Sequence, residues 1–218
     1  LVVCSLGLFT RNLKRIRRNI NLGKDLDRND STSLRMKNMF RVAFGQTKMV
    51  SRPIAGILHL IVYIGFVFIN IELLEIVLDG LTGKHRLFAP YLGSFYNFLI
   101  AMFEVFALLV LIAVFFFWTR RNVIKIKRFW KDEMKGWPKQ DADYILYFEV
   151  VLMILFLSMN STDSLLQDLA ATDYIKAGSF PVSQFLTPLF DSFELETLIF
   201  LERTFWWLHI TGIFIFLN

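Results

Sequence analysis

Apolar positions in this chain fall into long, nearly unbroken runs rather than into amphipathic stripes. Residues 53–79 read PIAGILHLIVYIGFVFINIELLEIVLD, residues 94–118 read SFYNFLIAMFEVFALLVLIAVFFFW, residues 144–162 read YILYFEVVLMILFLSMNST, and residues 198–218 read LIFLERTFWWLHITGIFIFLN. Crossing a bilayer takes about 20 apolar residues in helical conformation, and each of these runs is of that order. Pro53 suits the first turn of a helix. A shorter apolar run, residues 1–9, is followed at once by Arg11, Lys14, Arg15, Arg17 and Arg18. A signal peptide has the reverse order, so this run reads as the tail of a first transmembrane helix.

The polar segments between the runs carry an uneven charge. Residues 10–52 hold twelve Lys/Arg, with Asp25, Asp27, Asp30 and Ser31 as a polar turn ahead of an amphipathic piece, 34–44; residues 119–143 hold eight. The other two connections hold only Lys84, Arg86 and Lys176, and residues 163–197 are acidic. Twenty against three sets the orientation: residues 10–52 and 119–143 cytoplasmic, as loops or as a docking surface for a cytoplasmic partner. The expected fold is an all-α integral membrane protein. It is a single domain over 1–218, a five-transmembrane-helix bundle with helices near 1–9 (partial), 53–79, 94–118, 144–162 and 198–218. Leu1 in place of an initiating Met, and a last run still helical at Asn218, suggest a fragment with its first and last helices truncated.

Composition sharpens this reading. Of 218 residues 55% are hydrophobic, 24 are Phe, and the mean hydropathy is +0.49, too apolar for one soluble core. The basic excess is taken up by the inside loops, and no nucleic-acid partner is expected. A single cysteine, Cys4, excludes disulfides and thiolate-held clusters within the sequence given. Any redox metal would therefore rest on His59, His85 or His209.

His59 lies about one and a half turns into its run, with Gly56, Tyr63 and Gly65 near it along the helix. It reads as an axial ligand to a b-type haem or as a packing histidine bonded to a neighbouring helix. His209, with Glu202 seven residues before it and Gly212 three after, carries the same two readings. At ~1.5 Å per residue the two histidines differ in depth by roughly 5 to 9 Å, which disfavours one shared haem. His85, between Lys84 and Arg86, reads as a solvated basic turn or as a contact to a quinone head group. Asn70, Glu202 and Arg203 join Lys84 and His85 as candidates for a quinone site or proton path. Glu72, Glu75, Glu104 and Glu149 are further intramembrane or near-interface charges, which face the bundle interior, pair, or relay protons. Asn160 reads first as an interhelix hydrogen bond.

Three stretches carry a resemblance: RVAFGQTKMVSRPIAGILHLIVYIGF (41–66), KRFWKDEMKGWPKQDADYILYFE (127–149) and ERTFWWLHITGIF (202–214). They resemble the membrane domain of bacterial heterodisulfide-reductase-like iron–sulfur oxidoreductases, which is similar to the cytochrome b (gamma) subunit of respiratory nitrate reductase. The resemblance implies a cytochrome b-like subunit of the bacterial inner membrane that links the quinone pool to cytoplasmic iron–sulfur (4Fe-4S) centres. Those centres would sit on a C-terminal continuation or a partner subunit, within a larger membrane complex. His59 matches the inner haem position on helix 2, its mate expected beyond Asn218. His209 matches the outer position on the last helix, but its expected mate near Ile69 or Asn70 is not a histidine. The rival reading is a haem-free membrane anchor or assembly component of a larger complex. A transporter finds no support, since neither an inverted repeat nor a pair of broken helices is present.

Overall fold

The computed structural model describes residues 1–24, 30–49 and 51–218; Asp25 and Asp27 of the polar turn lie outside them. Among the described residues the regular structure is helical: α1 (Val2–Ile20), α2 (Thr32–Met39), α3 (Pro53–Thr82), the single turn α4 (Ala89–Leu92), α5 (Ser94–Trp118), α6 (Trp137–Asp168) and α7 (Leu195–Phe216), with π-turns at Phe40–Phe44 and Thr119–Val123. Two compact units form, one from Leu1–Leu60 with Thr211–Asn218, the other from Ile61–Ile210.

In the first unit the apolar run at 1–9 does not end before the basic residues. It continues through them as one helix, α1, because neither Pro nor a turn dipeptide interrupts Arg11–Arg18 and Arg and Lys are good helix formers. The Ser5 hydroxyl, buried, donates to the Phe214 carbonyl at 3.0 Å and accepts from Asn218 Nδ2 at 2.8 Å, fastening α1 to the end of α7.

The second unit is built on the α5–α6 pair. Phe103, Ala107, Val110 and Val114 recur at steps of three and four on α5, a buried stripe that packs in a core with Leu152, Met153 and Phe156 of α6. Gly65 of α3 lets α5 approach: a Cβ there would stand 3.1 Å from Val110 Cγ2.

Burial in this unit is inverted relative to a water-soluble domain. Glu104 and Asn160 are 0% exposed, whereas Phe66 and Phe115 are 59% and 62% exposed. Apolar side chains outward and carboxylates inward is the arrangement a lipid solvent selects. Among the described residues four helices are long and apolar enough to cross a membrane: Pro53–Thr82, Ser94–Val123, Trp137–Asp168 and Leu195–Phe216. Each reaches beyond the apolar run that announced it. α6 begins at Trp137 because Asp143 is paired there with Arg121 at 2.9 Å and Lys139 at 3.0 Å, and it runs on to Asp168 because its polar last turns are buried in a network.

Candidate functional site

One end of the second unit, where the 83–93 and 169–194 connections meet, is polar inside. On α3, Glu72, Glu75 and Asp79 are spaced three and four apart and so share a helix face; on α6, Asn160, Asp163 and Gln167 repeat that spacing. The connection after α3 inserts Arg86 between them, 7% exposed. Its backbone is left-handed at φ +51°, which costs a non-glycine residue about 1 kcal/mol or more. Asp79 holds that turn, its two carboxylate oxygens accepting the N–H groups of Arg86 and Leu87, both at 3.0 Å.

Arg86 is the hub. Its Nε and Nη2 donate to Asp163 Oδ2 at 2.7 and 2.5 Å, Nη2 also to Asn160 Oδ1 at 3.1 Å, and Nη1 to the Tyr96 hydroxyl at 3.1 Å. Tyr96 passes its own proton to Glu75 at 2.8 Å, and Glu75 accepts the Phe88 N–H at 2.8 Å. Burial works against the Arg86 cation, but Asp163 and Tyr96 more than offset it, so its pKa lies above that of an ordinary guanidinium. Glu104 fastens the return segment, accepting from Asn160 Nδ2, from the Val182 and Ser183 N–H groups, and from the Ser183 hydroxyl.

His85 bridges this network to the surface. Its Nε2 lies 2.9 Å from Asp163 Oδ1, and its Nδ1 accepts the Ile175 N–H at 3.2 Å. An accepting Nδ1 assigns the proton to Nε2, so the ring donates to Asp163. Tyr174 packs on the imidazole, centroids 4.8 Å apart, and donates to Glu202 at 2.9 Å. Burial and the Glu202 carboxylate push the Tyr174 phenol up, so it remains a proton donor at any physiological pH. Arg203 Nε pairs with Glu202 at 2.6 Å.

Two of the spaces that open here adjoin one another. A small cavity of about 40 Å³ lies among Glu72, Glu75, Asp163 and Glu202. Beside it, sharing Asp79, Lys84, His85, Arg203 and Trp206, is a cleft of about 460 Å³ walled by Tyr174, Trp206 and Trp207. That volume is in the range of small-molecule sites, and the lining is the usual one: aromatic walls with a few convergent polar groups. Gly80 shapes it, since a Cβ there would meet Trp206 Cη2 at 2.7 Å.

The structure thus brings His85, Lys84, Glu202 and Arg203 together. Asn70 is not among them: it is exposed, its Nδ2 donating to Phe66 O in its own helix at 2.6 Å. His209 is 2% exposed, its Nδ1 on the Leu152 carbonyl at 3.1 Å and its ring 5.9 Å from that of Phe156. That tautomer is the one an axial ligand needs, but the enclosed ring leaves no room for a macrocycle in this packing, so the site does not fit haem. His59, in the first unit, is partly exposed and makes no hydrogen bond among the described residues, so its donor nitrogens are free and it fits a ligand. Asp163, Tyr96, Asp79 and Tyr174 were not singled out from the sequence. The shared spacing of Asn160, Asp163 and Gln167 was the available signal.

The fold and site define a helical membrane domain with a buried ionic network beneath an aromatic cleft. Compared with known proteins, the chain matches no family model and no solved structure. It is 24% identical over 200 residues to a curated protein of Syntrophomonas wolfei subsp. wolfei (strain DSM 2245B / Goettingen) named EtfAB:quinone oxidoreductase, the match covering 88% of this chain. The matched part is 26% of that protein, so the chain spans about a quarter of its length. This distant relative is compatible with a membrane electron-transfer component.

Proposed function

We propose that this chain is the membrane part of a quinone-linked electron-transfer oxidoreductase, and that the cleft at His85 takes the quinone head group. The cleft itself carries the reading: indole and phenol walls suit a flat ring, and Lys84 and Arg203 offer donors to its carbonyl oxygens, where negative charge develops on reduction. The name of the distant relative supports a quinone as substrate. On the charge asymmetry of the loops, this end of the bundle faces outward from a bacterial inner membrane.

In the same reading the domain is five-helical and nitrate reductase gamma-like, α1 being the end of its first helix. His59 would hold a b-type haem, its second ligand contributed from beyond Asn218, and the haem when bound supplies one-electron transfer. The chain's own residues do the rest. Arg86 and Asp163 fix the connection that carries His85, Glu104 fixes the segment that covers the bundle end, and the outward apolar faces keep the site in lipid. Iron–sulfur centres belong to a cytoplasmic continuation or partner.

The test is a dithionite-reduced minus oxidised absorption spectrum of the purified full-length protein, followed by addition of quinone. A b-type band at about one haem per chain, bleached by quinone, is expected. A folded protein with neither a band nor quinone binding would instead be a haem-free anchor.

A further inference from the structure

Glu72 stands apart from the other carboxylates of the buried network, each of which has its donors. Asp79 accepts two backbone N–H groups, Glu75 one N–H and the Tyr96 hydroxyl, and Glu202 the Tyr174 hydroxyl and Arg203. Asp163 accepts from Arg86, His85 and Gln167. Glu72, 3% exposed, accepts none among the described residues, and its Oε2 is enclosed with no partner.

Its electrostatic surroundings are equally one-sided. α3 contributes Glu75 and Asp79, α5 Glu104, α6 Asp163, α7 Glu202 with Arg203, and the connection after α3 Lys84, His85 and Arg86. Arg86 is committed to Asp163 and Arg203 to Glu202. Lys84, the remaining cation, is exposed and pairs with none of these carboxylates. A bare carboxylate without donors, beside other carboxylates and with both buried-side arginines engaged, is the least favourable state for a buried acid. The carboxylic acid, pointing its O–H into the 40 Å³ cavity, is the consistent one. That volume has room for a water to receive the proton.

We propose that Glu72 is a proton-relay residue, holding an exchangeable proton that it delivers through the cavity to the quinone in the adjoining cleft. This rests on the quinone reading above. Reduction of a quinone to its hydroquinone takes two electrons, here from a one-electron carrier of the haem or iron–sulfur class, and two protons, one for each oxygen. Glu72 supplies one: its O–H bond breaks, the proton passes by way of cavity water to a quinone oxygen, and a new O–H bond forms there; the other quinone oxygen takes its proton from solvent water at the open side of the cleft. The carboxylate left behind recovers a proton from the solvent side of the cleft. His85 and Asp79 line both spaces, so the cavity and the cleft lie side by side and the proton has only that shared wall to pass.

The test uses the full-length protein and infrared spectroscopy. A buried carboxylic-acid C=O band that shifts in D2O is expected in the resting protein and is expected to vanish in Glu72→Gln. With a short-chain naphthoquinone as probe, Glu72→Gln should lower quinone reduction about a hundred-fold at unchanged quinone affinity, with partial rescue by Glu72→Asp. If Glu72→Gln does not fold, the band must instead change frequency in Glu72→Asp. A band that survives Glu72→Gln, or turnover within about twofold of the parent protein, overturns the proposal. Failure of the unaltered protein to bind the naphthoquinone would refute the quinone reading, while the resting band would still decide where the proton sits.

Discussion

Replacing Asp163 by asparagine keeps the shape of the side chain and removes its charge, leaving Arg86 as a buried cation. Arg86 and Asp163 are 7% and 2% exposed and joined by two hydrogen bonds of 2.7 and 2.5 Å. An amide oxygen can still accept one of those bonds, and Tyr96 and Asn160 remain, but none of them carries a charge. Removing one partner of such a buried pair costs about 3–5 kcal/mol. For a chain of this size 1 kcal/mol corresponds to roughly 2–4 °C in Tm, so Asp163→Asn should lower the melting temperature by about 10 °C. Thermal unfolding of the full-length protein in detergent, followed by near-UV circular dichroism, measures it. The double variant Arg86→Met, Asp163→Leu should recover much of the loss, because no uncompensated charge stays inside. Lys135→Ala, which breaks a pair whose side chains are 65% and 92% exposed, should leave Tm unchanged. A loss below about 1 kcal/mol for Asp163→Asn, or strictly additive losses in the double variant, would refute the claim that this pair is desolvated.

Two further outcomes follow from the packing. Gly80→Ala drives a methyl against the Trp206 indole, an overpacking cost of about 1–3 kcal/mol that should move the tryptophan emission and weaken quinone binding together. His59→Ala should abolish a haem band in the full-length protein while His209→Ala preserves much of it, because His209 is enclosed against Phe156; equal loss in both would mean that the two histidines serve one site.

Hydropathy and charge made the crossings legible, because lipid demands long apolar helices whatever else the residues do. The first apolar run was legible only in part, since its helix continues through basic residues that hydropathy assigns to a loop. The site was legible in Lys84, His85, Glu202 and Arg203. Its hub was not. Arg86 and Asp163 lie 77 positions apart, and the end of α6 had been placed at Thr162 where hydropathy falls. Asp163 and Gln167 remain helical past that point because Arg86, His85 and the backbone of Ala177 supply their partners, a tertiary gain that no local window contains. The positive φ of Arg86 is of the same kind: only Asp79, seven residues earlier, explains why a non-glycine residue sits there.

Assignment of the aromatic cleft as a quinone site turns on whether it binds one. Its most direct test is a titration of the full-length protein with a short-chain naphthoquinone, read by tryptophan fluorescence, in the unaltered protein and in Lys84→Ala and Arg203→Ala. Saturable quenching is expected, with affinity about tenfold weaker in each variant, the loss expected for one charge-assisted hydrogen bond. Quenching that does not saturate, or that is the same in all three proteins, would contradict it.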